Sequence, residues 1–120
     1  MSTDITKFYS YNSSKSASLL IPLRSVKQLG WLPQDYDPNI DFKREINYLK
    51  RVIEGKKGLF LFIDKKEKDT LKMYKYASQT ASTATIPLNL ADELGWRHKD
   101  QIRVMLKVVD GYMGLFFYKE

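Results

Sequence analysis

Hydrophobic side chains recur along this chain with two different periods, and those periods come twice in the same order. From Gln101 to Val109 the period is two. Ile102, Val104, Leu106 and Val108 fall on one side and Gln101, Arg103 and Lys107 on the other, the alternation of a strand with one covered face. Residues 110–114 then predict a hairpin connection, and the apolar run 115–118 a strand covered on both faces. Upstream, residues 72–77 alternate around Met73, Tyr74 and Tyr76, and residues 80–86 are β-branched or small, so both predict strands. Between them and the last pair the spacing lengthens to three. Leu88, Ala91 and Leu94 line one face of a two-turn helix that Pro87 opens and Gly95 caps.

The first half follows the same plan, with strands near 7–12 and 16–21, a helix over 22–29 capped by Gly30, and strands near 45–53 and 58–63. The segment Ile21-Pro22-Leu23 … Leu29-Gly30-Trp31 returns 65 residues later as Ile86-Pro87-Leu88 … Leu94-Gly95-Trp96. Tyr9 and Tyr11 align with Tyr74 and Tyr76 at the same offset, and Gly58-Leu59-Phe60 aligns with Gly114-Leu115-Phe116 at an offset of 56. The first copy therefore carries nine additional residues within 32–44, where Pro33, Pro38, Asp35, Asp37 and Asp41 predict a surface loop. Residues 64–69 are all charged and join the copies. The chain reads as one compact domain, 1–120, made of two repeats, 1–64 and 65–120. Each copy alone is near the size at which an isolated core is marginal, so the two are expected to pack on each other.

Composition narrows the chemistry. Cysteine is absent and His98 is the single histidine, which removes disulfides, thiolate metal sites and histidine clusters. Asp35, Asp37 and Asp41 lack the ordered spacing of a calcium loop, and no base–nucleophile pairing stands out. The expectation is a non-enzyme with no cofactor, no metal and no membrane partner, located in the cytoplasm of a prokaryotic or virus-infected cell. Twenty Lys and Arg against fourteen Asp and Glu give +6, and each half contributes ten basic and seven acidic side chains. A basic excess spread over both halves favours nucleic acid through counterion release and steering, although solubility alone would use the same charge.

Ile86-Pro87 … Leu94-Gly95-Trp96 … Lys99-Asp100-Gln101-Ile102-Arg103-Val104 … Asp110-Gly111 … Gly114-Leu115 resembles the AbrB/MazE/SpoVT swapped-hairpin domain. The first copy shows the same motifs with the turn before Glu45 displaced by the insertion. The resemblance implies a mainly β fold with short helices: a swapped-hairpin barrel formed as an intramolecular pseudo-dimer of two ββαββ repeats. Phe60, Leu61, Phe62 and Phe116, Phe117, Tyr118 are the candidates for its shared core. It implies a DNA-binding transcriptional regulator using double-stranded DNA, with further homodimerisation open; the family's frequent C-terminal antitoxin-type tail is not expected here.

The resemblance places the DNA-facing surface on the N-terminal strands, their loop and the exposed side of the short helix. On that surface the first copy offers Lys7, Lys15, Arg24 and Lys27, and the second Lys72, Lys75, Asn89 and Arg97. Arg24 and Asn89 are the candidates for a base edge, and loop hydroxyls from 12–16 and 78–83 for phosphates. The family's usual basic residue before Ile-Pro is Ser18 and Thr83 here, and the one in the helix is Lys27 in one copy but Asp92 in the other. The first copy should therefore make the stronger DNA contact. The paired tyrosines have two readings, stacking on bases or packing along a strand face, and the second is favoured. Trp31 and Trp96 read as core. The departures from the family pattern, with the acidic insertion, keep a second function class open: a module that captures a protein partner.

Overall fold

Period-two alternation builds eight strands and the three-residue spacing two short helices: β1 (Asp4–Tyr9), β2 (Ser16–Pro22), α1 (Leu23–Gln28), β3 (Phe42–Ile53), β4 (Lys56–Phe62), β5 (Thr70–Lys75), β6 (Ala81–Pro87), α2 (Leu88–Leu94), β7 (Gln101–Val109) and β8 (Tyr112–Tyr118). This computed structural model describes residues 4–10, 16–33, 35–37, 39–64, 69–77 and 81–119. The strands close an antiparallel barrel in the order β1-β2-β6-β5-β3-β4-β8-β7. Consecutive strands form four hairpins, and every other pairing joins one repeat to the other: β2 with β6, β4 with β8, β1 with β7, β3 with β5. Exchanging the repeats leaves the order unchanged. The register follows suit, since Tyr9 opposite Ser18 recurs as Tyr74 opposite Thr83.

Chain composition explains the closest of these contacts. At β4–β8, a Cβ on Gly58 would lie 2.2 Å from the Phe117 carbonyl oxygen, and one on Gly114 would lie 2.1 Å from that of Leu61. The Phe116 ring covers Gly58 and the Phe60 ring covers Gly114. Alternation then divides these strands between two cores. Leu59, Leu61, Leu115 and Phe117 fill the barrel with Phe8, Leu19, Ile21, Ile46, Met73 and Ile86. Phe60, Phe62, Phe116 and Tyr118 form a second cluster, closed over by Leu49, Ile53, Met105 and Val109. Both faces of 115–118 are buried, as the unbroken apolar run predicts.

The reading of β7 needs correction. Ile102 and Val104 are interior, but Leu106 and Val108 are exposed, by 36% and 63%. Among the described residues the β7–β8 hairpin continues past Val104, which pairs with Asp4 of β1, and Leu106 and Val108 lie on this outer half. The burial period there belongs to Met105 and Val109 of the second cluster. Its turn is also tighter than expected: Asp110 and Gly111 alone carry positive φ, as do Glu54 and Gly55 in the sister hairpin. Arg51 pairs with Asp110 and Lys107 with Glu54, a repeated cross-tie between the two tips. Exposed pairs of this kind add at most about 1 kcal/mol each.

Each helix is too short to persist alone and is held by packing on β2 and β6. Val26 and Trp31 bury the first, and Leu90, Ala91, Leu94 and Trp96 the second, with the Trp96 ring edge-on to Phe8 at 5.5 Å. Both tryptophans are core, as read. The insertion ends earlier than expected, since β3 already begins at Phe42.

Phe116→Ala should destabilise the chain by about 3–5 kcal/mol in a single calorimetric transition, because the cavity opens at a contact between repeats. Gly114→Ala should likewise lower the one melting temperature, by forcing β4 from β8 at a cost of about 1–3 kcal/mol. Melting confined to residues of the second repeat would contradict the shared core.

Candidate nucleic-acid interface

On the outer face of β1-β2-β6-β5, side-chain size alternates by strand. The two central strands present Ser16, Ser18, Leu20, Thr83 and Thr85, and the flanking strands present Tyr9, Tyr74 and Tyr76. Small side chains between large ones leave a groove of about 470 Å³ across the β2–β6 junction. Its two rows are related by the repeat: Tyr9 faces Ser18, which faces Thr85, while Tyr74 faces Thr83, which faces Leu20. Among the described residues no formally charged side chain lines it.

Cations flank the groove. Lys7 and Lys72 are exposed on β1 and β5 at equivalent positions, with Glu45 opposite Lys72 and Gln101 opposite Lys7. Lys43 lies opposite Tyr74, its Nζ 5.5 Å from the ring centroid. Lys99 occupies the equivalent place beside Tyr9, where its N–H donates to the Phe8 carbonyl at 2.7 Å and its φ is 69°. Neither Lys43 nor Lys99 was among the sequence candidates. The insertion hides their equivalence, which the 56-residue offset of the downstream motifs would have revealed.

The remaining candidates divide. Arg24 and Lys27 are exposed on α1, Arg24 ion-paired to Asp4 at 3.3 Å with its side chain 81% exposed. Asn89 is exposed on α2 beside Asp92 and Glu93, and Arg97 is exposed in the following turn. Lys15 and Tyr11 lie outside the described residues. Lys75 is a correction: it is 2% exposed and shares its inward parity with Leu71 and Met73, so it cannot meet DNA. Its Nζ donates instead to the Tyr76 carbonyl at 2.7 Å. The next N–H, of Ala77, donates to Asp41 at 2.7 Å. Lys75 and an insertion aspartate thus brace the backbone that carries Tyr76, whose ring stacks on Tyr74 at 5.9 Å with 7° between planes. The favoured sequence reading of the tyrosines agrees with the three that are described: Tyr9, Tyr74 and Tyr76 pack along the outer face, where they wall a groove.

On the Tyr9 side the support is the turn 97–100. His98 Nδ1 accepts the Ser10 N–H at 3.0 Å, and its ring meets Tyr9 edge-on at 5.9 Å. Asp100 accepts the Arg97 N–H at 2.7 Å and pairs with Lys119 at 2.9 Å. Partial burial works against its charge, but the hydrogen bonds from Lys119 and from the Arg97 backbone prevail and hold its carboxyl below the usual value of 3.8. At the far side of α2, Glu93 is also held below its ordinary range by its hydrogen bond and charge pairing with Lys50.

Among the described residues no group of three His, Asp or Glu side chains is placed to hold a metal ion, and no helix is long and apolar enough to cross a membrane. Comparison with protein-family models, with curated proteins and with solved structures returns no match.

Asp100 has a folded-state pKa below its unfolded one, so its stabilisation is present above the ordinary aspartate range and disappears as pH falls through the lowered value. Denaturant midpoints should therefore fall more steeply below about pH 4 in the native chain than in Asp100→Asn, which is less stable at pH 7. Parallel curves would show that the Lys119 pair contributes nothing.

Proposed function

We propose that this chain is a DNA-binding regulator of the AbrB-like, swapped-hairpin type, with both units of the dimer in one polypeptide, and that duplex DNA lies across the β1-β2-β6-β5 face. What supports the architecture is the pairing: the two hairpins of each repeat form no strand pair with each other and are joined through the hairpins of the other repeat. The observation that carries the function is the repeat-related set Lys7, Lys72, Lys43 and Lys99 around a hydroxyl-lined surface. Ammonium groups at that spread release counterions from a phosphate backbone, and Ser and Thr hydroxyls donate to phosphate oxygens. Arg24 and Lys27 extend the cationic surface at one end, where the opposite end carries Asn89, Asp92 and Glu93. The duplex is therefore held more strongly on the α1 side. The Arg24–Asp4 pair is exposed and weak, so a phosphate can replace the carboxylate.

A second reading is a protein-capture module. It is favoured by Leu106, Val108 and Met113, exposed on β7–β8 where the first repeat has Lys50, Val52 and Lys57. Salt separates the two, since phosphate contacts weaken steeply with ionic strength and an apolar docking site does not.

Mobility shift of a random duplex over a salt series is the test. Replacing Arg24 and Lys27 together with alanine should weaken binding and flatten the logarithmic salt slope by about 1.8, at about 0.9 per lost phosphate contact. The Lys7→Ala, Lys72→Ala protein should do the same. No duplex binding at low salt would transfer the case to the protein-capture reading.

A further inference from the structure

We propose that the groove between β1 and β5 is a stacking site for unpaired nucleobases, so that single-stranded DNA is held on this face. The inference rests on the preceding reading for the phosphate contacts but not for the bases. A duplex keeps its base edges at the bottom of its own grooves, where they are reached by a protruding helix or ribbon. A hollow cannot reach them. The hollow here has rings for walls, hydroxyls and Leu20 for a floor and, among the described residues, no charge within, which fits a flat, neutral, polar-edged ring. Tyr76 is 44% exposed, more open than any other Phe, Tyr or Trp among the described residues. Its ring is set parallel to Tyr74, and Lys43 lies against Tyr74. A base stacking on the exposed Tyr76 ring adds one more ring to this pair.

The bracing points the same way. An aromatic side chain with no role beyond surface cover has no need of a fixed backbone. The Tyr76 carbonyl is held by a buried lysine, and the N–H that follows is held by Asp41 from the insertion. Neither lysine nor insertion has a counterpart in the first repeat's tyrosine strand, where Ser10 stands at the Lys75 position. Preorganised rings lose little freedom on stacking, which is where affinity for a flexible single strand is usually spent. Ser18, Thr83 and Thr85 then offer hydroxyls that donate or accept at a base edge without selecting one base.

The test uses a 20-nucleotide oligothymidine, which has no structure of its own, alongside a 20-base-pair duplex, both read by fluorescence anisotropy at one low salt concentration. Oligothymidine should bind and quench tyrosine emission. Tyr76→Ala and Tyr74→Ala should each weaken it by about tenfold, with Tyr76→Phe retaining it and duplex affinity falling by much less. Lys7→Ala with Lys72→Ala should weaken both probes. Duplex binding without oligothymidine binding, or oligothymidine binding indifferent to both tyrosines, overturns the base site and leaves the preceding reading standing. If neither probe binds, both are overturned.

Discussion

A β-hairpin has two open edges, each a row of unpaired N–H and C=O groups, and in this chain every such edge is covered by the opposite repeat. That requirement ties the rest together. Because β4 and β8 must meet at the junction, Gly58 and Gly114 have to lack side chains, and the space above them is taken by Phe116 and Phe60. Because β2 and β6 must meet at the other junction, the surface over them is shared equally between repeats. A site built there has contributions from both.

Two of the four junctions between repeats are used differently. β4–β8 carries large aromatic residues on one face and aliphatic and aromatic residues on the other, and is buried on both. β2–β6 buries Ala17, Leu19, Ile21, Ala84 and Ile86 inward but lines the groove on its outer face with serine, threonine and one leucine. Hydroxyl side chains keep strand geometry while leaving polar atoms at the surface, so this junction is stable without being covered. One junction stabilises the barrel, and the other is left available. Duplication has also let the copies diverge: Lys75, Asp41 and the insertion support one tyrosine strand, and His98 with its turn supports the other.

Much of this was legible in the sequence. The repeat announced itself through turn and cap residues, Ile-Pro, Leu-Gly-Trp and Gly-Leu-Phe, because a backbone position that admits few residues preserves them in both copies. Strand and helix identities followed from period. Which hairpin pairs with which does not, because the edge of a strand carries no side-chain signature. Period two showed that Leu106 and Val108 share a face, but not that this end of the face is exposed. Lys75 was assigned outward as lysines usually are, yet its parity with Met73, opposite to that of Tyr74, already placed it inside. Lys43 and Lys99 were obscured by the change of offset at the insertion.

On the proposed reading, the tyrosine-walled β2–β6 junction and the lysines around it form the surface that meets nucleic acid. The most direct measurement is an amide chemical-shift titration of the full chain with a short duplex at low salt. Shifts gathered on Lys7, Tyr9, Ser18, Tyr74, Thr83 and Thr85, with β4 and β8 silent, are the predicted result. Shifts gathered instead around Leu106, Val108 and Met113, or none at saturating DNA, would contradict it.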